Sequence, residues 1–245
     1  MKEWLCGRNP VYEMVRARKR QIFKLLLTEN LQPDERISEI LRAAKTYRVP
    51  VETVKRLRLD SIAENHQGVA AEVSAYTYSD LSSILQAARQ KNQPPFVLVL
   101  DSLQNPQNFG TLIRSAEAFG VHGILIPFRH ASGITPAVVT ASAGAAEHML
   151  VASANLAQSL EELKKAGLWV IGLEGSPQAQ PPEKLRLGGA AALVVGSEGE
   201  GMRSLVRKSC DVLMRLPLEG QIESLNAAVA GSIGLFLIHQ ARQPG

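Results

Sequence analysis

From residue 96 onward, short unbroken apolar runs alternate with segments whose apolar positions recur at helical spacing. Runs at 96–100, 123–126, 169–173, 192–195 and 212–216 are the length of buried strands and are bounded by Gly, Pro or polar residues. Helices are expected between them, notably over 109–119 and 156–166, each stopped by a glycine, Gly120 and Gly167. Strands apolar on both faces and separated by helices predict a mostly parallel sheet with helices on both faces. The run 192–195 breaks into Gly196-Ser197-Glu198-Gly199-Glu200-Gly201. The run 212–216 stops at Pro217, and Ser224 is expected to cap a last helix reaching about Arg242.

The first 75 residues repeat the alternation on a smaller scale. A helix over 10–17 places Val11, Met14 and Val15 on one face, and one over 34–47 does the same with Ile37, Ile40, Leu41 and Ala44. Strands are expected over 22–27, 49–54 and 69–75, with a helical turn over 59–63. Three strands and their helices can bury one face of each, which predicts a small α/β domain over 1–75. Residues 76–95 are weakly apolar and finish in Asn92-Gln93-Pro94-Pro95. They are expected as a linker with one helix over 81–90, leaving 96–245 as the second domain.

Composition adds little to this picture, but charge distribution adds something. Over 1–95 there are 16 Lys and Arg against 11 Asp and Glu, net +5; over 96–245 there are 11 against 12, net −1. A cationic module joined to a near-neutral one fits a polyanion partner for the first, although a solvated basic surface explains the excess equally well. Arg16, Arg18, Lys19, Arg20, Arg56 and their neighbours are candidate phosphate contacts, or simply solvated loop ends. His66 is a candidate RNA contact or a locally bonded turn residue. No apolar run approaches a membrane span, and the first ten residues lack an apolar leader core, so a cytoplasmic location is expected. Two cysteines far apart, Cys6 and Cys210, predict buried free thiols, with neither a disulfide framework nor a metal site.

The candidate chemistry lies at strand ends. Asn108 is expected to cap the helix after the first strand, with Arg114 on its second turn, where a cation could hold a phosphate or stabilise a developing oxyanion. The loop 196–201 reads G-x-x-G-x-G, which is neither the dinucleotide fingerprint nor a P-loop. Its Glu198 and Glu200 would repel phosphates and suit a ligand bearing an ammonium or hydroxyl groups. Ser224 and Asn226 open the last helix, with plain capping as their simplest role.

Taken together, Asn108-x-Gly110-x-x-x-Arg114, Gly196-Ser-Glu-Gly-x-Gly201, and Leu216-Pro217 followed by Ser224-Leu225-Asn226 resemble the three motifs of the SpoU/TrmH ribose methyltransferases of the SPOUT superfamily. The N-terminal part, with Gly7-Arg8-Asn9-Pro10 and His66-Gln67-Gly68, is similar to the L30e-like substrate-binding domain of the branch that methylates a guanosine 2′-hydroxyl in 23S rRNA. The sequence departs from the family at Asn105, usually Asp, and from the branch at Asn9, usually His.

The resemblance implies an α/β fold with a deep C-terminal trefoil knot, an exception to the rule that chains avoid knots. It implies S-adenosylmethionine held by Gly196, Glu198, Gly199, Gly201, Leu216, Pro217, Ile222, Leu225 and Asn226. It assigns catalysis to Arg114, assisted by Asn108, Glu198, Ser224 and Asn226; with the basic clusters already named, the candidate RNA contacts are Arg8, Arg16, Arg18, Lys19, Arg20, Arg56, His66 and Arg114. A homodimer through the last helix is implied, with no metal and no membrane. Alternatives are a tRNA or other rRNA ribose as target, or a non-catalytic RNA-binding ribosome-assembly factor on the same scaffold.

Overall fold

In the computed structural model, residues 2–32, 34–129 and 132–243 are described. The chain forms two compact units, Met1–Thr77 with Gly133–His148, and Tyr78–Ser132 with Met149–Gly245.

The first unit holds β1 (Lys2–Cys6), α1 (Arg8–Ala17), β2 (Ile22–Thr28), α2 (Glu35–Thr46), β3 (Val51–Val54), α3 (Arg56–Asp60) and β4 (Val69–Ser74). Its sheet runs β1-β4-β2-β3, antiparallel except between β2 and β3. There are four strands where the periodicity predicts three. The extra one, β1, buries only Leu5 and Cys6 of its five residues, too few for an alternation to stand out. The short helix expected over 59–63 starts earlier, at Arg56, because Leu59 is its one buried anchor. Asp34 caps α2 as expected, its Oδ1 accepting from Ile37 N at 2.8 Å.

The second unit follows with α4 (Leu81–Gln90), β5 (Phe96–Leu100), α5 (Pro106–Ala118) and β6 (Gly123–Pro127). The stretch expected as a linker carries α4, whose Ile84 and Ala88 are fully buried, so it contributes to this unit's core. Next, α6 (Pro136–Ala141) and a 3-10 turn over Ala145–Glu147 belong to the first unit. There Glu147 and Arg20, both buried, form an ion pair with Arg20 Nε 3.0 Å from Glu147 Oε2 and Nη2 2.9 Å from Oε1. Burial pushes the Glu147 carboxyl above its ordinary pKa, and the Arg20 charge partly opposes that shift.

The remaining elements are β7 (Val151–Ala154), α7 (Leu156–Lys165), β8 (Trp169–Leu173), β9 (Ala191–Val195), α8 (Ser204–Lys208), β10 (Val212–Met214) and α9 (Ala227–Ala241). All six strands of this unit are parallel, in the order β10-β8-β9-β5-β6-β7. The central strands β5, β6 and β9 are buried at every residue, as their unbroken apolar runs require. The strand β7 was not foreseen, since a Ser and two Ala among four residues give no apolar run.

Helix α9 lies close to β9 and α5. At Gly231 any Cβ would run into Leu112, and Ser232 Oγ meets Ser115 Oγ at 2.7 Å. Its opposite side leaves Val229, Ile233 and Phe236 exposed at helical spacing. Cys6 is buried and Cys210 half-buried; both are free, and burial pushes their thiols up to about 11 and about 12. No helix among the described residues is long and apolar enough to cross a membrane.

Candidate active site

The carboxyl ends of β8 and β9 open into a cavity of about 490 Å³. In a parallel sheet this edge gathers the loops that follow every strand, so segments distant in sequence meet there. The loop after β9 folds back on itself: Ser197 N donates to Gly201 O at 3.0 Å and Gly201 N to Ser197 O at 3.1 Å. Gly196 makes this turn possible, because a Cβ there would strike the backbone of Gly201 and Met202. The loop is pinned at its far end by Asp101, fully buried at the tip of β5, which accepts from Arg203 N and from Arg203 Nε, each at 2.7 Å.

Three side chains from three motifs converge at the rim. Asn108 Nδ2 donates to Glu198 Oε1 at 2.8 Å, and Asn226 Nδ2 donates to the same oxygen and to Asn108 Oδ1, the latter at 3.2 Å. The local structure differs from the sequence reading in two respects. Asn105, not Asn108, caps α5, with Pro106 at the first helical position, so Asn108 sits in the first turn with its amide free to reach Glu198. Asn226, not Ser224, caps α9, its Oδ1 accepting from Ala228 N and Val229 N at 2.9 and 3.2 Å. Ser224 is exposed and lines the cavity instead.

Of the other residues expected around a cofactor, Gly196, Glu198, Gly199, Gly201, Leu216 and Leu225 line the cavity. Pro217 and Ile222 do not, and Ile222 is 78% exposed. Arg114 is exposed on α5, outside the cavity lining, without a hydrogen bond or ion pair among the described residues. The sequence reading missed the wall built by Glu174 and Gly175 after β8, and Glu223 opposite. The irregular glycine-marked loop between two core strands was the available signal. Glu174 is held by Arg207 of α8 through contacts of 2.8 and 2.9 Å, and those bonds draw its carboxyl below the usual range.

The cavity thus carries Glu174, Glu198 and Glu223 and no Lys or Arg. It suits a ligand with positive charge and an apolar body that can rest on Val195, Leu216, Leu218 and Leu225. No cluster of metal-ligating side chains occurs among the described residues.

The basic residues of the first unit separate into accessible and inaccessible ones. Arg8 and Arg56 line a polar cavity of about 790 Å³, with Arg8 Nη1 donating to Asp34 Oδ2 at 2.7 Å. Arg16 pairs with Glu13, Arg18 stacks on Tyr47 and Lys19 donates to His148 O, all three exposed. Arg20 is sealed away from any RNA in this structure, whereas His66, although buried, lines the same polar cavity as Arg8 and Arg56. The Arg20 side chain is 1% exposed and bonded to Glu147 and Glu3. His66 is buried, with Nδ1 accepting from Gly68 N and Nε2 on Asp60 Oδ1, so it shapes its own turn.

Comparison with known proteins agrees across both units. The SpoU rRNA Methylase family model matches residues 95–236, and a model described as RNA 2′-O ribose methyltransferase substrate binding matches residues 4–79. A Bacillus subtilis chain named for the TrmH family of tRNA/rRNA methyltransferases is 40% identical over 244 residues, covering 99% of this chain and 97% of that one. A Staphylococcus aureus chain of the same naming is 38% identical, covering 97% and 96%. Among solved structures, the SpoU methyltransferase AviRb of Streptomyces viridochromogenes in complex with AdoMet superposes with a TM-score of 0.79 at 23% identity, covering 98% and 89%. An AdoMet-bound rRNA methyltransferase from Sinorhizobium meliloti gives 0.79 at 21%, covering 98% and 87%.

Proposed function

The chain belongs to the SpoU rRNA methylase family, and from that membership and the cavity we propose that it transfers a methyl group from S-adenosylmethionine to a ribose 2′-hydroxyl of RNA, specifically a guanosine in 23S rRNA. The observation that carries the reading is the junction of Asn108, Glu198 and Asn226 at the rim of a cavity lined by carboxylates without a cation. The donor is a sulfonium, so its positive charge and apolar adenine match what the cavity offers. It would be held by the backbone of Gly196, Leu216 and Leu225 and by the Glu198 carboxylate. When bound it supplies an electrophilic methyl group.

The chain's own task is to present a hydroxyl to that methyl. A neutral alcohol is a weak nucleophile, so its proton must be shared or removed as the bond forms. Glu198 Oε1 is saturated by two amide donors, which fixes the carboxylate and leaves Oε2 for a donor on the ligand. Ser224 offers a hydroxyl at the same rim. A guanidinium is a donor and not an acceptor, so Arg114 serves to position the phosphate and stabilise charge. The homodimer is part of the proposal: the exposed row Val229, Ile233 and Phe236 on α9 is the face a second copy would cover, and the partner would complete the site near Arg114. The knotted chain path and a cytoplasmic location, consistent with two free thiols, belong to the same reading.

The test is to map 2′-O-methyl groups in 23S rRNA and tRNA with and without the gene, and to titrate S-adenosylmethionine into the purified protein. One 23S guanosine losing its methyl supports the reading in full; a tRNA position would keep the activity and move the target. Arg114→Ala should abolish transfer and leave donor binding intact, and undiminished turnover would remove Arg114 from the mechanism.

A further inference from the structure

The same sheet edge carries a second concavity of opposite charge. A groove of about 450 Å³ opens at the ends of β6 and β7, between Pro127, Phe128 and Arg129 on one side and Arg203 and Leu205 on the other. Its charged lining is Arg129 and Arg203, with no Asp or Glu, whereas the donor cavity has three carboxylates and no cation. Arg203 is fixed in place by Asp101. Arg129 is exposed and makes no hydrogen bond or ion pair among the described residues.

Two large apolar side chains share this groove with the arginines. Phe128, directly after a strand in which all five residues are buried, is 70% exposed, and Leu205 of α8 is 66% exposed. A flat aromatic face sharing a groove with a guanidinium that has no partner among the described residues is the combination that receives an unstacked nucleotide: the ring stacks on the base, and the cation meets the phosphate. The sheet order places β6 two strands from β9, roughly 10 Å at about 4.8 Å per strand. A nucleotide seated here would therefore flank one whose ribose faces the donor cavity.

We propose that this groove binds a nucleotide of the RNA substrate next to the methylated one, with its base on Phe128 and its phosphate at Arg129, while Arg203, its charge offset by the ion pair with Asp101, forms the facing wall. The proposal rests on the RNA methyltransferase reading and extends it to a contact on the catalytic unit. The complementary charge favours a polyanion, and a base presents the π-face that an isolated exposed phenyl ring can use.

The experiment measures binding of 23S rRNA and tRNA transcripts to wild type and to Phe128→Ala, Phe128→Leu, Phe128→Trp and Arg129→Ala, with S-adenosylmethionine affinity and sedimentation followed in parallel. Phe128→Ala and Phe128→Leu should each weaken RNA binding about 5- to 100-fold at unchanged donor affinity. Phe128→Trp should retain binding, and its indole emission should be quenched when RNA is added. Arg129→Ala should weaken binding and lower the slope of log affinity against log salt by about one. Wild-type RNA affinity in Phe128→Leu, or a changed oligomeric state with RNA affinity intact, would overturn the proposal, the second outcome placing another copy of the chain in the groove. A wild-type protein that binds the donor but no RNA would instead bring down the functional reading itself.

Discussion

The side-chain amide of Asn226 caps the start of one helix and holds one carboxylate: Oδ1 accepts from the first turn of α9 while Nδ2 donates to Glu198 Oε1. A residue with both duties couples the position of the 196–201 loop to the stability of α9. Asn226→Ala should lower stability by about 1 kcal/mol through loss of the cap and reduce methyl transfer strongly. Asn226→Asp keeps the cap but sets a second carboxylate against Glu198. It should show near-wild-type thermal stability with greatly reduced transfer. Calorimetry together with a methyl-transfer assay separates the two effects, and wild-type activity in both variants would show that the contact with Glu198 is idle.

Gly196 and Gly175 both line the donor cavity and make a matched pair. A Cβ at Gly196 would collide with the backbone of the loop's return strand, whereas one at Gly175 would meet nothing within 4 Å. Gly196→Ala should lower stability by about 1–3 kcal/mol, the usual range for overpacking, and abolish donor binding. Gly175→Ala should fold with unchanged stability. Denaturant melts and donor titrations of the two variants check the contrast.

The buried pair of Arg20 and Glu147 predicts a stability effect and not an RNA-binding one. Arg20→Ala strands the Glu147 carboxylate in the core and should cost about 3–5 kcal/mol at neutral pH. Because burial raises the Glu147 pKa in the folded state, the folded form binds its proton more tightly than the unfolded chain does. The variant should therefore gain stability as pH falls through the folded-state pKa toward the ordinary carboxylate range. Adding Glu147→Gln should restore part of the loss at pH 7. Chemical denaturation at several pH values decides it.

On α9, charge introduced at Phe236 or Val229 should break the proposed dimer. Phe236→Asp is expected to sediment as a folded monomer and to lose methyl transfer if the partner completes the site. A monomeric wild type would refute the dimer outright.

Burial of both thiols predicts their chemistry. With pKa values near 11 and 12, Cys6 and Cys210 stay protonated at pH 8. Iodoacetamide should label neither in the native protein and both in urea, as mass spectrometry would show. The sign for stability follows: the unfolded thiols ionise near 9, so stability should decline as pH rises above that value.

Much of this protein was determined by local sequence. Unbroken apolar runs at β5, β6, β8 and β9 fix buried parallel strands, because only a strand covered on both faces needs apolar residues at every position. The glycine pattern of 196–201 and the three spaced motifs carried the family. Tertiary structure decided what depends on who meets whom. Asn108 gives up the capping role for a hold on Glu198, and Asn226 adds that hold to its cap, only because the fold brings two helix starts 118 residues apart together at one sheet edge. Arg20 looked like a surface cation, and burial assigned it to the interior, since composition does not reveal that a charge has found a partner 127 residues away; His66, open between an RNA contact and a locally bonded turn, holds the turn through Gly68 and Asp60. The acidic cavity and the basic groove are equally invisible along the chain: each sums side chains from separate loops, and only the strand order places them on one edge with opposite charge.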